Sequence, residues 1–417
     1  MIYPKVTNIY QKVFHNLKTS FYSYRKKLST NPRQLLLRLS LYLIFLIFPA
    51  SLAKSFILSQ SYVMGISLSY LIPKIYLTEI LILGIVLLTP WQKIKNKLFP
   101  ILLLGFLLTL LPSLFFTSFP LISWVRFGEL SFWLLFSFWL SQNLTKSLKN
   151  KLISFLGWGV VWVTLLAFFQ LFFQHSLFGY WFLGEPYLTP SLGGVATGSF
   201  FGREILLPYG TFPHPNVMGG VLSVLAVWFG AKKRWGFFSF AVLGTIISFS
   251  QMAWLSLALG LLGIFLSRRV FPIVSLNFND LWQSPSVQRR LDLLVSFWEM
   301  VKSAPFWGVG LGNFTKVLPA FGVPAGLLLF LQPVHNIFAL IAAESGILAL
   351  GAFLLLWFFA FRRAGEKKDY LLTISLSQIV LLGFFDHYLY TLPQGLFILS
   401  LVWGLVFSKE RLLDSEA

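Results

Sequence analysis

The chain has 417 residues, of which 57% are hydrophobic, 18% aromatic and only 11% charged. Soluble globular proteins carry about a quarter charged residues, so this composition excludes a soluble enzyme, a disordered chain and a coiled coil. The apolar content is enough for roughly twelve membrane spans of about 20 residues each. We therefore expect an all-α polytopic membrane protein with about 12 transmembrane helices.

Positive charge dominates the chain, with 33 Lys and Arg against 14 Asp and Glu. Residues 1–38 contain basic side chains and no acidic one, and later basic clusters fall between the apolar runs. Short Lys/Arg-rich loops stay in the cytoplasm, so this periodic charge predicts a multi-pass protein with cytoplasmic N- and C-termini. Membrane lipids are expected partners of the basic segment, and nucleic acid is not.

The apolar runs and basic clusters divide the chain into seven segments. We expect a basic cytoplasmic segment (1–38), N-terminal transmembrane helices (39–173, the first span over 39–54), a first long extracytoplasmic loop (174–214), central transmembrane helices (215–269), a short crossing with a second long extracytoplasmic loop (270–334), C-terminal transmembrane helices (335–407) and a cytoplasmic tail (408–417). Residues 270–282 are short and polar for a span, but the surrounding basic clusters require an additional crossing there. Neighbouring helices would have to shield it.

The second outer loop contains a helix that opens at Ser284 and Pro285, as N-cap and first helical residue. Its apolar positions recur with helical spacing. They are Val287, Leu291, Leu294, Val295 and Trp298. We expect this face to lie on the membrane surface or on the helix bundle.

His335 lies where the second outer loop enters an apolar helix. An imidazole in such a partly dry position suits general-base chemistry, although a helix-start histidine without chemistry is equally compatible. Asn336 can cap the helix, and its side chain can also hold a substrate or the histidine. Glu344 lies about two turns deeper, and an acid inside a span is a functional candidate.

A second dense patch surrounds His214, which Pro213 and Pro215 hold on a rigid turn. Asn216 can cap the next span, and Gly219 with Gly220 permits close helix packing. A turn-and-cap device without chemistry explains this patch as well as a site does.

Eight basic residues remain on the outer side and need an explanation. They are Lys54, Lys74, Arg126, Arg203, Arg289, Arg290, Lys302 and Lys316. Anionic partners such as phosphate explain them best, because Arg offers paired donors to phosphate oxygens. For Lys54 and Lys316, scattered solvated charges are an equally compatible explanation. Arg289 and Arg290 also lie in the first turns of the surface helix, where free N–H groups favour anions.

Metal and cofactor sites are not expected. The chain has no cysteine, which excludes thiolate ligands and disulfides. No His/carboxylate cluster shows metal-ligand spacing, and no P-loop or GxSxG motif appears. The adjacent Asp386 and His387 are interpreted as structural residues.

Four passages, taken in order, resemble the O-antigen ligase/O-antigen polymerase family of bacterial multispan membrane glycosyltransferases. They are residues 212–220, 248–255, 289–314 and 335–347. The resemblance covers about residues 200 to 360 of this sequence, and the first 200 residues match only in layout. It implies a GT-C-like helical fold in the bacterial cytoplasmic (inner) membrane.

The resemblance further implies an enzyme without a cofactor or metal that takes a glycan from a polyprenyl (undecaprenyl) pyrophosphate carrier. The acceptor would be a hydroxyl of another glycan, a lipid core or a protein. By the same resemblance His335 is the general base, and Arg290 or Arg289 binds the pyrophosphate. The remaining substrate-binding candidates are Arg203, Arg126, Gln251, Asn336, His214, Asn216 and Glu344.

One position departs from the family pattern. The family usually has Arg where this chain has Gln251, and glutamine supplies no charge to a phosphate. Arg203 or Arg126 then substitutes, the donor differs, or the enzyme is weak or inactive. A transporter or flippase of lipid-linked glycans is the main alternative, although paired repeats typical of transporters are missing. A non-catalytic scaffold is the third.

Overall fold

The computed structural model describes residues 32–89, 94, 97–200, 202–266, 285–322 and 331–412. The predicted crossing at 270–282 lies outside the described residues, as do most of the basic N-terminal segment and the end of the C-terminal tail. The described part is mainly helical, with three small two-stranded sheets, as expected for a polytopic membrane protein.

Fifteen α-helices are present among the described residues. In chain order they are α1 (Pro32–Leu46), α2 (Leu77–Leu88), α3 (Leu98–Leu110), α4 (Pro112–Phe115), α5 (Pro120–Asn143), α6 (Lys146–Phe173), α7 (Pro215–Ala231), α8 (Trp235–Ile247), α9 (Gln251–Leu266), α10 (Pro285–Ser303), α11 (Phe314–Val317), α12 (Ile337–Glu366), α13 (Tyr370–Phe385), α14 (Tyr388–Thr391) and α15 (Pro393–Phe407).

Four of the apolar helical stretches are long enough to cross a membrane by length and composition. They are Leu98–Phe115, Pro120–Asn143, Lys146–Phe173 and Ile337–Glu366. Shorter apolar helices occur at most of the other predicted spans. The expected total of about 12 crossings therefore stays a prediction.

The first predicted span is displaced. We expected it over 39–54, but α1 ends at Leu46 and residues 53–55 form a strand. Pro49 explains the early end, because proline disfavours helix in the residue before it and supplies no backbone N–H. The chain after α1 is therefore free to pair as a hairpin.

Residues 53–76 fold into two hairpins that the sequence pattern did not reveal. Strand β1 (Ala53–Ser55) pairs antiparallel with β4 (Lys74–Tyr76), and β2 (Tyr62–Val63) pairs with β3 (Ile66–Ser67). Met64 and Gly65 form the tight turn between β2 and β3 with positive φ, as two-residue hairpins require. A third hairpin, β5 (Thr197–Phe200) with β6 (Arg203–Leu206), lies in the first long loop.

That first long loop is ordered by two buried polar side chains. Glu185 accepts hydrogen bonds from the backbone N–H groups of Leu177, Phe178 and Gly179 at 2.7–2.8 Å. Gln170 of α6 donates to Glu185 at 2.8 Å and accepts from the N–H of Gly210 at 2.7 Å. The loop is thereby fixed against the end of α6.

Helices α7 and α15 form the centre of the bundle, because almost every side chain on both is buried. Close packing at the start of α7 depends on its glycines, as predicted. A Cβ at Gly219 would lie 2.2 Å from Oγ of Ser248, and one at Gly220 would lie 1.7 Å from the hydroxyl of Tyr388. Side chains larger than glycine therefore do not fit at either position without movement.

Basic clusters gather at one end of the bundle, here called the basic end. Lys149 donates to the carbonyl of Arg411, and Lys367 donates to the carbonyl of Glu410 at 2.8 Å. Arg234 donates to Ser154 at 2.8 Å. The opposite end carries the hairpins of residues 53–76, the loop of 174–214 and the start of α12, and is called the loop end.

Helix α10 packs on α12 through a different face from the one expected. Its buried side chains are Leu293, Ser296 and Met300. The expected face is open, with Leu291, Leu294, Val295 and Trp298 between 38% and 63% exposed, and the side chain of Val287 lies outside the described residues. The expectation that this face packs on the helix bundle was therefore wrong. The alternative, that it contacts the membrane surface, stays a prediction.

Helix α12 is interrupted at Gly346, whose φ of 82° is left-handed. The chain that follows α10 fills the break with backbone hydrogen bonds. Ile347 N–H donates to the carbonyl of Pro305 at 2.9 Å, and Gly310 N–H donates to the carbonyl of Glu344 at 3.0 Å. The backbone groups freed by the kink are thus satisfied within the protein.

Candidate functional site

Three residues from two distant segments converge at the loop end. His335 ends the loop before α12, and Asp386 with His387 links α13 to α14. Their ring nitrogens and carboxylate oxygens lie within 4.8 Å of one another. The rings of His335 and His387 meet edge to face at 5.4 Å. We call these three residues the histidine cluster.

Helix capping positions His335 in this cluster. The Asn336 carboxamide oxygen accepts from the N–H groups of Phe338 and Ala339 at 2.9 Å each, so the predicted cap of α12 is confirmed. Its amide nitrogen donates to the carbonyl of Phe384 at 3.2 Å. Asn336 therefore joins the start of α12 to the end of α13, which carries Asp386.

Local hydrogen bonds fix the other two members. The Asp386 carboxylate accepts from the N–H of His387 at 2.7 Å. Nδ1 of His387 lies 2.7 Å from the hydroxyl oxygen of Thr391 on α14. By contrast, Nδ1 of His335 is buried and has no hydrogen-bond partner among the described residues. His335 is the member whose proton-accepting capacity is left for another group.

The electrostatics of the cluster favour neutral imidazoles beside an ionised carboxylate. Burial lowers the pKa of His335 to about 3, with Asp386 opposing the shift and His387 and Arg290 adding to it. Burial likewise lowers the pKa of His387 to about 4. For Asp386, burial acts to raise the pKa, but His335, His387 and Arg290 outweigh it, so the pKa lies below its ordinary value.

Arg290 is the predicted anion ligand that faces this cluster. Its charge acts on His335, His387, Asp386 and His214, while its side chain is half-buried. It makes no salt bridge or hydrogen bond within the part of the chain that the structure describes. Arg289, next to it in the first turns of α10, is also half-buried.

His214 lies near the histidine cluster and caps a helix. Its Nδ1 accepts from the N–H of Asn216 at 3.1 Å, so His214 caps α7, and the cap expected of Asn216 was wrong. Asn216 lies in the first turn of α7 instead. Arg290 and Asp386 both act on the charge of His214, which places it beside the histidine cluster.

Two other predicted substrate-binding residues, Arg126 and Glu344, make their contacts within the protein. Arg126 binds Glu129 and the carbonyl of Tyr390, and its guanidinium lies 5.3 Å from the centre of the Tyr390 ring. Glu344 is buried and accepts from the N–H of Phe314 at 3.2 Å. Arg126 therefore anchors α14 below the cluster, and Glu344 anchors the loop that follows α10.

The position at which the family usually has arginine is exposed, and so is Arg203, one of its two candidate substitutes. Gln251 opens α9 and its side chain is exposed. Arg203 begins β6 and is exposed as well. No contact of either with the histidine cluster is present among the described residues. The guanidinium charges that act on the cluster there come from Arg290 and, at His387, also from Arg126.

The histidine cluster also has the composition of a metal site, which sequence spacing did not suggest. Two imidazoles and a carboxylate are ligands that zinc takes in proteins. The positive charge of Arg290 opposes a cation at this position. The sequence missed the cluster because Asp386 and His387 are far from His335 along the chain and only the fold brings them together.

A cavity of about 1080 Å³ adjoins the cluster. Its walls come from the hairpins of residues 53–76, the first turns of α2 and α5, and the turn around His214. Tyr70, on its wall, meets the ring of His387 edge to face at 5.5 Å. The loop end therefore offers a partly open cavity next to the histidine cluster.

Comparison with known proteins identifies a family. The family described as O-antigen ligase matches residues 216–354, a stretch that contains α7 to α9, α10 and His335. The resemblance drawn from the residues is thereby confirmed for this stretch of the chain. No curated protein matches the chain.

Proposed function

We propose that this chain is a membrane glycosyltransferase that moves a glycan from a polyprenyl (undecaprenyl) pyrophosphate carrier to an acceptor hydroxyl. The O-antigen ligase domain supports glycosyl transfer from a lipid-linked donor to a glycan or lipid acceptor in general. Ligation, polymerisation and transfer to a protein hydroxyl are all compatible with the proposal. The reaction takes place at the loop end, on the outer face of the bacterial cytoplasmic membrane.

One observation carries this proposal: a neutral His335, whose buried Nδ1 has no partner among the described residues, lies beside an arginine without an ion pair there. His335 takes the proton of the acceptor hydroxyl as its oxygen bonds to the anomeric carbon. The bond from that carbon to the pyrophosphate breaks, and the pyrophosphate leaves with the electron pair. Arg290 stabilises the developing charge.

Asp386 holds His335 in position and balances the charge that it gains. A carboxylate beside a histidine stabilises the imidazolium that forms during proton transfer, as in other general-base systems. The cationic Arg290 supplies the stabilisation of the leaving group that a metal would otherwise give, so the proposed reaction is metal-independent.

The orientation in the membrane follows from charge. Short basic loops stay in the cytoplasm, and the structure gathers Lys149, Arg234 and Lys367 at the end opposite the histidine cluster. The basic end therefore faces the cytoplasm, with both termini, and the loop end faces the compartment in which lipid-linked glycans are transferred.

The test uses purified protein in lipid nanodiscs, a labelled polyprenyl-pyrophosphate glycan and a panel of acceptors. We expect His335→Ala to reduce transfer by at least about 100-fold, the range of general-base contributions. His175→Ala is the matched control, because His175 is exposed in the loop of 174–214 and lies outside the cluster. Chelators should leave the wild-type rate unchanged.

Three outcomes would contradict the proposal. Equal transfer by wild type and His335→Ala removes His335 as the base. Loss of transfer with chelator that added zinc restores assigns a metal to the cluster. The third outcome is measured with the protein in closed lipid vesicles. Movement of intact donor across the vesicle membrane, without cleavage of the pyrophosphate linkage, supports a flippase instead.

A further inference from the structure

The cavity at the loop end has two kinds of wall. One is polar and aromatic, and comes from the hairpins of residues 53–76 together with Tyr180 and His214. The other is apolar and comes from α2 and α5, where Ile80, Leu83, Leu121 and Val125 line the cavity and are 37–55% exposed. These exposed apolar side chains lie on two helices of the segment predicted to be transmembrane, so we expect the cavity to open sideways towards the hydrocarbon layer.

Lys74 brings an ammonium group to the cavity wall. It begins β4, lines the cavity and is half-buried. Its side chain has no salt bridge or hydrogen bond to the residues that the structure describes. Burial lowers the pKa of Lys74, with Glu129 opposing the shift. A partly buried ammonium in this situation gains stability from an anion.

The carboxylates of the same cavity are already engaged. Glu129 pairs with Arg126. Glu79 accepts from the N–H of Tyr76 at 3.0 Å and from the indole of Trp133 at 3.1 Å. The protein therefore supplies donors to these acids and leaves the charge of Lys74 for a ligand.

The other groups that line the cavity indicate a ligand with a hydroxylated ring. The carboxamide oxygen of Gln60 is buried and has no hydrogen-bond partner among the described residues. It accepts from a hydroxyl or amide donor. Tyr70, Tyr76 and Tyr180 add aromatic surface with polar tips, which suits the apolar and hydroxylated faces of a sugar.

We propose that this cavity binds the acceptor of the transfer reaction, a lipid-anchored glycan that carries a carboxylate or phosphate on a sugar. Lys74 holds the anionic group, Gln60 accepts from a sugar hydroxyl, and the lipid chain lies along α2 and α5. The role of this ligand as acceptor rests on the proposed function. The preference of the cavity for an acidic, lipid-anchored sugar does not. His214, next to the histidine cluster, is among the cavity's lining residues, whereas Arg290, the proposed ligand of the donor pyrophosphate, is not. In this proposal donor and acceptor therefore approach the histidine cluster from different sides.

Direct binding tests the specificity without any transfer reaction. The probes are a synthetic lipid-anchored glucuronic acid, its lipid-anchored glucose counterpart and free glucuronic acid, added to the full-length protein in nanodiscs. We expect Lys74→Ala to weaken binding of the acidic lipid probe by about 10-fold, the loss of one charge-assisted contact, and to leave the glucose probe unchanged. Free glucuronic acid should bind more weakly than the lipid-anchored form.

Matched variants separate this effect from a loss of structure. Lys302→Ala removes an exposed lysine that pairs with Glu299 outside the cavity, and should bind like wild type. Lys74→Arg keeps the charge and should restore most of the affinity. Equal weakening of the acidic and neutral probes by Lys74→Ala, or no weakening of either, would overturn the proposal. So would equal competition by phosphatidylglycerol, since the site would then select a lipid headgroup and no sugar.

Kinetics then assigns the bound molecule to the acceptor side. Lys74→Ala should raise KM for an acidic acceptor by about 10-fold without changing KM for the pyrophosphate donor, and Arg290→Ala should do the reverse. If Lys74→Ala raises only the donor KM, the cavity is a donor site and the proposal is wrong. If no variant transfers glycan but Lys74 still selects the acidic probe, the proposed function fails and the binding site stands.

Discussion

The chemistry proposed for the loop end depends on three residues whose protonation states support one another. His335 and His387 stay neutral because burial disfavours their charged forms, and Asp386 stays ionised because positive and polar neighbours outweigh its burial. Such a separation of protonation states is typical of sites that transfer protons. His335 differs from His387 in that its Nδ1 has no partner among the described residues.

Removal of the Asp386 charge should weaken the base. Because Asp386 raises the pKa of His335 against the effect of burial, Asp386→Asn leaves a less basic imidazole. We expect kcat to fall by about 10-fold or more while KM for the donor changes little. Pre-steady-state transfer rates measure this, with Glu204→Gln on the exposed strand β6 as the control. A kcat equal to wild type would show that Asp386 does not act on His335.

Burial of the two cluster histidines should make a destabilising contribution as the pH falls. The folded pKa values of His335 and His387, about 3 and 4, lie below the unfolded value near 6.5. At these two residues the unfolded chain takes up protons as the pH falls through 6.5 and the folded chain does not, so their contribution to the free energy of unfolding decreases below that pH.

The measurement is the midpoint of thermal unfolding in detergent at pH 7.5 and pH 5.0. We expect the change from pH 7.5 to pH 5.0 to be less destabilising in His387→Gln than in wild type, because the variant lacks one of the two buried imidazoles. His175→Gln, which alters an exposed ring, should retain the wild-type difference. An identical acid effect in His387→Gln and wild type would exclude His387 as a source of the pH dependence.

Elements show where sequence patterns are informative and where they are not. Apolar runs predicted the segments in which most of the helices lie, because burial in lipid or protein selects long apolar stretches. The hairpins of residues 53–76 were missed, since strands of two or three residues carry no readable alternation. His335 was proposed as a site residue from its position at a helix start. Asp386 and His387 were noticed but interpreted as structural, because their contact with His335 across helices leaves no local pattern.

The kink of α12 is the element on which the loop end depends most. Gly346 takes a left-handed φ and lies against the backbone of residues 306–307, where a Cβ would be 2.1 Å from the carbonyl oxygen of Phe306. Since the segment after α10 hydrogen-bonds to this kink, a side chain at Gly346 would push it away from α12. Arg290 and Phe314, on either side of that segment, would then move too.

Gly346→Ala should therefore cost about 1–3 kcal/mol of stability from backbone strain, and transfer activity should fall with it. Gly351→Ala is a control in the same helix, because nothing lies within 4 Å of its Cβ position. It should be neutral or more stable by up to about 1 kcal/mol, since alanine favours helix. Thermal unfolding of both variants measures this, and equal midpoints for the two would contradict a structural role for the kink.

At the scale of the whole molecule, charge and function are separated along the bundle. The basic end is stabilised by lysines that donate to C-terminal carbonyls, which ties the tail to α6 and α12. The loop end holds the histidine cluster and the cavity. The sequence predicted this polarity from the spacing of its basic clusters, whereas the volume and walls of the cavity depend on how hairpins and helices pack.

Membrane orientation decides which donors can reach the site, and the chain is well suited to a direct test because it has no cysteine. Tyr187→Cys places a thiol at a 71% exposed position of the loop end, and Lys409→Cys places one at an exposed position of the basic end. We expect an impermeant maleimide to label Tyr187→Cys in intact spheroplasts and Lys409→Cys only after permeabilisation. Labelling of Lys409→Cys alone in intact spheroplasts would place the histidine cluster in the cytoplasm. A glycan transferred outside the cell could not then be its substrate, so this result would overturn the proposed outer-face reaction whatever the activity of His335→Ala.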